Sequence, residues 1–514
     1  MIRNEKLFWI IIICLSLLIL FPKNINTLFY YDDNPIRFMV AKRLASGNID
    51  KIDEFISFFS FGSAEIYIPF FLFSKIFNIQ NDDLVYNLAS LSYFVLSCIM
   101  LVFYFDKNKK IIQKGNTYDY SGYITSVGYI LVIFCLLGIS AVAGGHIHWL
   151  ISCSLFTIVA SKIYFSQKIN ASDYIILGIA HFISPPLAIF SIIFSLIERR
   201  IDIFLIPLII NLVKFFSYYI ILIKYLKIFL SLEISQQNFT IEDKFFLPPD
   251  FGIILRFLSF DYFRLSFIFA PLIYIIVFRS IFTAKKTFIV LAFIYYSVVL
   301  FALIILKLSE EKTKILKTII FIFSAHIFTL NPVRFVPLFL IFSLLHIRKV
   351  KFDDYFKVIA LVFFLARALL SFFGFGPLPQ KIPGSVNSVI EYILNNTKRE
   401  DKILVEGDKH IFEKGRLVHP LYNSHILPYI IAKIENRNFV GTGTPWEPFY
   451  SPFIAGRFKE VPIDKSEILS FISENDIKYV LCWTQECENF FRNLGKKIVV
   501  IDKFKIIHIK GNQY

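Results

Sequence analysis

Long apolar runs recur along residues 1–373, and they constrain the fold of this chain more than any other feature. Residues 7–21, 84–105 and 354–373 are examples, and about 20 consecutive apolar residues are what a helix needs to cross a bilayer. Of the 514 residues, 56% are apolar, and the mean hydropathy is +0.62. Soluble domains have about 45–50% apolar residues. The pattern predicts a polytopic α-helical membrane protein with about ten to thirteen hydrophobic segments.

Basic residues give this predicted bundle an orientation. Arg3 and Lys6 precede the first run and favour a cytoplasmic N-terminus in the cytoplasmic (inner) membrane. The loop 22–83 is then extracytoplasmic, and the apolar run 66–79 inside it is too short to span, so it is predicted to lie along the interface. The net charge of +15 fits basic cytoplasmic loops. Together with the apolar runs, this charge distribution predicts the lipid bilayer as a partner, and no nucleic-acid partner is predicted.

Residues 374–514 change character and predict a C-terminal α/β domain after the transmembrane domain 1–373. No P-loop, G-x-G-x-x-G, H-E-x-x-H or G-x-S-x-G occurs there, so no cofactor or metal is predicted. The parity of the crossings leaves the side of this domain open, and the extracytoplasmic side is favoured on functional grounds. The predicted strands are 402–406, 479–483, 497–502 and 505–509, and the predicted helices are 385–397, 423–434, 464–475 and 486–494.

An acidic pair in the first loop is the sharpest local motif. Asp32 and Asp33 follow the first apolar run and are followed by Asn34-Pro35, a helical pattern and Gly47. An acidic residue, a proline, a short helical pattern and a glycine, in this order, are typical signals for the start and the end of a helix. The same order also suits a base that must be held rigidly at the lipid–water boundary.

Several pieces of the chain together carry a family resemblance. They are Asp32-Asp33 with Ala41, Leu44 and Gly47; Gly62, Tyr67 and Pro69; His181 to Pro186; Arg334 with Pro337; and, in the tail, Val405-Glu406 and Asn475 to Leu481. This layout resembles the GT-C superfamily of membrane-embedded glycosyltransferases, and most of all its uncharacterised bacterial and archaeal members with a C-terminal extracytoplasmic domain. Arg37 is a departure, because relatives often have histidine shortly after the acidic motif.

The resemblance implies an inverting glycosyltransferase at the extracytoplasmic face. The donor is a polyprenyl-phosphate-linked sugar, and the acceptor is a glycan, a lipid or a protein of the envelope. Such a reaction needs a base for the acceptor hydroxyl and cations for the phosphate leaving group. Asp33 is the candidate base, with Asp32 as the alternate. The candidate phosphate ligands are Arg334, Arg256, Arg264 and Lys224, and the candidate substrate-binding residues are His181, His146, His148 and Tyr67.

Structural roles compete with each of these assignments. Asp33 also suits the role of a helix cap. Arg334 also suits a position at a helix end from which its charged group extends into water. His146 and His148, in the turn AGGHIHW, suit a polar turn better than a metal site, and His181 suits a packed position between half-helices. The alternative function is a non-catalytic carrier or scaffold for envelope polysaccharide. An ion-coupled transporter fits less well, because the chain lacks the internal repeats of that class.

Two features of the tail stay open at this level. Cys482 and Cys487 are compatible with a disulfide, if the tail is extracytoplasmic, or with two free thiols. Glu406, His425 and Trp446 are compatible with an acceptor pocket or with ordinary strand ends and a buried tryptophan.

Overall fold

The computed structural model describes residues 5–20, 25–29, 34–47, 64–115, 131–212, 214, 354–373, 382–441 and 465–509, with short gaps inside 131–212, 382–441 and 465–509. Thirteen α-helices lie in these ranges, together with a 3₁₀ turn at Glu65–Tyr67. The helices are α1 Glu5–Leu20, α2 Asn34–Ser46, α3 Ile68–Ile76, α4 Asp82–Gly115, α5 Ile147–Tyr164, α6 Ala171–Ile183, α7 Leu187–Glu198, α8 Asp202–Ile210, α9 Asp354–Phe372, α10 Gly384–Asn396, α11 Ile426–Lys433, α12 Lys465–Glu474 and α13 Gln485–Arg492.

The prediction of a polytopic membrane protein is wrong. In the part of the chain that the structure describes, Asp82–Tyr104 within α4 is the one stretch long and apolar enough to cross a membrane, by length and composition. Within the described residues, other apolar runs form shorter helices or are interrupted by charge: α6 and α7 have 13 and 12 residues, and α9 carries a buried Arg367. Their apolar side chains pack into a shared core with a mixed sheet, which gives an α/β architecture.

Helix breaks in the first half of the chain follow the residues that cannot continue a helix. Tandem proline breaks a helix, and at Ser184-Pro185-Pro186 α6 ends at Ile183 and α7 begins at Leu187. Helix α5 packs against α4 and α6, and α8 packs against α6 and α7. Helix α1 packs against α9, where the Ser371 hydroxyl donates to the carbonyl of Ile19 at 3.0 Å.

The sheet of the C-terminal region is mixed. Its order is β4-β1-β5-β7-β6, in which β1 runs parallel to β4 and β5, while β7 runs antiparallel to β5 and β6. The four predicted strands are confirmed as β1, β5, β6 and β7; the hairpin β2–β3 and strand β4 were not predicted. The strands are β1 Lys402–Val405, β2 Ile411–Glu413, β3 Arg416–Val418, β4 Asn438–Val440, β5 Ile477–Cys482, β6 Gly495–Ile501 and β7 Phe504–Ile509.

The C-terminal region contacts the N-terminal helices through α11. Helix α11 packs against α2, and the apolar cluster that contains Phe38 of α2 also contains Leu427 and Ile430 of α11. Because α2 belongs to the first loop and α11 to the tail, this packing puts the two on the same side of any membrane that the chain crosses.

Candidate active site at the start of helix α2

Helix α2 begins and ends where Pro35 and Gly47 predict. It begins at Asn34 with Pro35 in its first turn and ends at Ser46. Gly47 follows with φ +76°, and its N–H donates to the carbonyl of Leu44 at 3.2 Å. This is the left-handed glycine with which helices commonly end. Its first eight residues, Asn34 to Ala41, are buried.

The turn at residues 144–149, which carries both candidate histidines, has the geometry of a helix C-terminus. Gly145 has φ +75°. The N–H of His146 donates to the carbonyl of Ala141 at 2.7 Å, and that of Gly145 donates to the carbonyl of Val142 at 3.4 Å. This pair of bonds is the Schellman motif, which ends one helical segment. Helix α5 begins two residues later at Ile147, so the histidine pair is fixed between two helical segments.

This turn packs directly against the first residue of α2. A methyl group added at Gly145 would lie 2.8 Å from the backbone nitrogen of Asn34, closer than side chains approach backbone. The Asn34 side chain donates to the carbonyl of Val142 at 3.3 Å. The histidine turn therefore contacts the residue that directly follows the acidic pair in the sequence.

Two stacked tyrosines form another side of the site. The Tyr86 hydroxyl donates to Oδ1 of Asn34 at 3.0 Å, and the ring of Tyr86 stacks on that of Tyr67 at 4.3 Å. The Tyr67 hydroxyl shares a hydrogen bond with Ser90 at 3.0 Å. Burial raises the pKa of Tyr67, although its bonds to Ser90 and Tyr86 and the charge of Arg37 act in the opposite direction.

The two elements that meet at Asn34 carry two histidines and an arginine. His146 and His148 are buried, with their ring centres 6.2 Å apart, and the ring of His148 lies 5.2 Å from that of Trp149. Arg37, one turn after Asn34, is only 2% exposed. A guanidinium at the start of a helix favours a bound anion, because the helix N-terminus adds positive potential.

The predicted site residues therefore fall into two groups. The structure links three of them to Asn34 through the contacts given above: Tyr67 through the ring of Tyr86, and His146 and His148 through the turn at Gly145. The other predicted residues lie outside the described part of the chain, apart from His181; they are Asp32, Asp33, Lys224, Arg256, Arg264 and Arg334.

His181 has a packed position between helices. It is fully buried in α6, and its Nε2 shares a 2.6 Å hydrogen bond with the hydroxyl of Ser191 on α7. Burial lowers the pKa of His181 to about 3, so the ring is neutral at physiological pH. This geometry fits the structural alternative considered for His181, a packed position between half-helices.

Sequence reasoning missed Asn34, Tyr86 and the contribution of Arg37. Asn34 was considered only as part of a helix start signal, and Arg37 only as a departure from a family pattern. Tyr86 lies inside an apolar run where no local signal distinguishes it. Its position one helical turn before Ser90, on the face toward Tyr67, is visible only in the structure.

In the tail, Cys482 and Cys487 form a disulfide, which resolves the alternative left open by the sequence. The buried carboxylate of Glu406 accepts hydrogen bonds from the N–H groups of Trp483 and Thr484 at 2.7 and 3.0 Å, and from the Thr484 hydroxyl. Glu406 and the two sulfurs lie within 4.8 Å of one another, but metals bind thiolates and these sulfurs are bonded to each other. His425 and Trp446 lie outside the described residues.

Glu406 gives a pH-dependent prediction. Burial raises its pKa from 4.5 to about 7, against the lowering effect of its three hydrogen bonds. A raised pKa contributes stability that is present below pH 4.5 and lost as the pH rises through 7. Relative to Glu406→Gln, we expect the free energy of unfolding of the wild type to fall by on the order of 3 kcal/mol between pH 4.5 and pH 8. Urea unfolding of both proteins across this range measures the difference, and parallel pH profiles would contradict the assignment.

Comparison with protein-family models gives no match, and comparison with curated proteins gives none either.

Proposed function

We propose that this protein is a glycosyltransferase that moves a sugar from a polyprenyl-phosphate donor to an envelope acceptor. The observation that carries the proposal is the contact between Asn34 and the turn at Gly145. It joins the residue after the acidic pair to a turn with two buried histidines, beside a buried arginine. A displacement at a phosphate-linked carbon requires a base and cations, and the proposed base, Asp33, directly precedes Asn34 in the sequence.

In the proposed reaction, Asp33 takes the proton of the acceptor hydroxyl as its oxygen attacks the anomeric carbon. The bond between that carbon and the phosphate oxygen breaks, and the electron pair leaves with the polyprenyl phosphate. One displacement inverts the configuration of the sugar. Arg37 and the positive end of α2 stabilise the negative charge on the leaving phosphate, with Arg334 as a further proposed ligand. His146 and His148 orient the sugar or its phosphate.

Two features support an extracytoplasmic place for this site. A disulfide such as Cys482–Cys487 persists in oxidising compartments. Helix α11, which belongs to the same C-terminal region as the disulfide, packs on α2. The site at the start of α2 therefore lies on the same side of the membrane as the disulfide. Helix α4 is the proposed membrane anchor. Helix α3 exposes Leu72, Phe73 and Ile76, which suits contact with the apolar tail of the donor at the membrane surface.

The test is transfer by the purified full-length protein in lipid nanodiscs. A panel of polyprenyl-phosphate sugars with a labelled sugar is offered with envelope lipid and glycan acceptors. We expect labelled product from at least one donor, with inverted configuration, and no product from a variant that combines Asp32→Asn and Asp33→Asn. Equal labelling by wild type and variant, or donor binding without transfer across the panel, would instead favour the scaffold alternative.

A further inference from the structure

We propose that the C-terminal region positions the candidate active site through a charged contact between α11 and the helices α2 and α4. We call this contact the clamp; it consists of Lys42, Asp82, Asp83, Tyr429 and Lys433. The role in catalysis rests on the proposed function, whereas the mechanical role does not.

Asp83 is the centre of the clamp. It is a buried carboxylate in the first turn of α4. One of its oxygens lies 2.8 Å from the ammonium of Lys433, and the other accepts a hydrogen bond from the Tyr429 hydroxyl at 3.1 Å. Both partners belong to α11, 346 or more residues away along the chain. A buried carboxylate with two partners on one helix fixes the orientation of that helix closely, because either bond is costly to leave unmade.

Lys42 ties α2 to the same place. Its ammonium lies 2.8 Å from Asp82 and donates to the carbonyl of Ala432 at 3.0 Å. Ala432 is in the last turn of α11, where carbonyls lack partners within the helix and carry negative partial charge. The acidic groups therefore lie at the positive start of α4, and the ammonium groups lie at the negative end of α11. Both charges are favourable at the helix ends that they contact.

An aromatic path leads from the clamp to the site. The ammonium of Lys433 lies 5.3 Å from the ring centre of Phe38, and the ring of Tyr429 lies 5.9 Å from it. Phe38 packs edge-on against Tyr86 at 5.7 Å. Tyr86 then donates to Asn34. The three rings of this path, Phe38, Tyr86 and Tyr429, are buried, so a shift of α11 is passed to the first turn of α2.

The test compares Lys433→Met with a matched control, Lys478→Met. Lys478 pairs with Asp476 at 2.5 Å on the exposed surface, and an exposed pair contributes little to stability. Amide hydrogen exchange of residues 34–46 is measured in the full-length protein, with residues 477–482 of β5 as an internal reference for global folding. We expect α2 to exchange at least about 10-fold faster in Lys433→Met, with β5 unchanged. In Lys478→Met, whose substitution lies in β5 itself, α2 should exchange at the wild-type rate.

Two further variants keep the test decisive. Tyr429→Phe removes one hydroxyl and leaves the ring, so α2 should loosen less than in Lys433→Met. Lys433→Arg preserves the charge and should restore slow exchange. If transfer is measurable, kcat should fall about 10-fold in Lys433→Met while KM for the donor stays unchanged, and Lys433→Arg should recover kcat.

Unchanged exchange of α2 in Lys433→Met would overturn the proposal, and so would loosening of β5 to the same extent as α2. The two proposals fail separately. If α2 loosens as expected but the wild type transfers no sugar from any donor, the glycosyltransferase assignment fails and the clamp stands.

Discussion

Asp33→Asn is expected to lower kcat for sugar transfer by about 100- to 10,000-fold, the range that a general base contributes. Asparagine has nearly the same shape as aspartate, but its amide cannot accept the proton of the acceptor hydroxyl. Donor binding relies on the cations and the apolar tail, so KM for the donor should change little. Initial rates of transfer in nanodiscs, measured over a range of donor concentrations, separate the two constants.

Two controls accompany this variant. Asp476→Asn changes an exposed carboxylate in the tail, at a position with φ +49° that asparagine tolerates, and it should retain full activity. Asp32→Asn should lower kcat less than Asp33→Asn does. A larger loss in Asp32→Asn would exchange the roles of the two acids, and full activity in both single variants would remove the base assignment.

Gly145→Ala has the second-largest expected effect, because it separates the histidine turn from α2. The new methyl group would meet the backbone nitrogen of Asn34 at 2.8 Å and its Cα at 3.1 Å. Backbone atoms cannot rotate away, so the turn or the start of α2 must move. We expect the free energy of unfolding to fall by about 3 kcal/mol and transfer to fall at least about 100-fold, since a displacement of about 1 Å has that effect on positioned groups.

Gly47→Ala is the matched control for that variant. Gly47 has φ +76°, almost the same as Gly145, but an added methyl group meets nothing within 4 Å. Backbone strain alone should therefore lower its stability by about 1–2 kcal/mol and leave activity intact. Urea unfolding and transfer assays of both variants separate strain from contact. Equal losses of stability and activity in the two variants would show that the approach of Gly145 to Asn34 is unimportant.

The parts of the fold that were predictable are those with local causes. Helix α2 was predicted from Pro35 and Gly47, which set the start and end of a helix by their own backbone preferences. The break before α7 follows from tandem proline in the same way. The strands β1, β5, β6 and β7 were predicted from short apolar runs between turns. In all these cases the decisive residues are neighbours in sequence.

The prediction of a polytopic membrane bundle failed because the composition of an apolar run does not determine what it contacts. Within the described residues, the apolar stretches of α1 and α5 are Lys6–Leu20 and Ile147–Ala160. Helix α1 packs against α9, and α5 packs against α4 and α6. Hydropathy records the apolar side chains but not these tertiary contacts.

The candidate site was only partly predictable because its contacts join distant parts of the chain. Asn34 and Val142 are 108 residues apart, and Asn34 and Tyr86 are 52 apart. The sequence identified His146, His148 and Tyr67 singly but had no signal that the turn with the histidines and the Tyr67–Tyr86 pair both contact Asn34. The disulfide between Cys482 and Cys487 stayed open for a similar reason, since its formation depends on how β5 and α13 meet.

The most direct test of the central claim, that the acidic pair and the histidine turn form one site, is a double-mutant cycle. Transfer is measured for the wild type, Asp33→Asn, His146→Ala and the double variant. Residues that act together give non-additive effects, so we expect the double variant to be at least about 10-fold more active than the product of the two single losses implies. Single losses that multiply in full would contradict a shared site and assign Asp33 and His146 to separate parts of the protein.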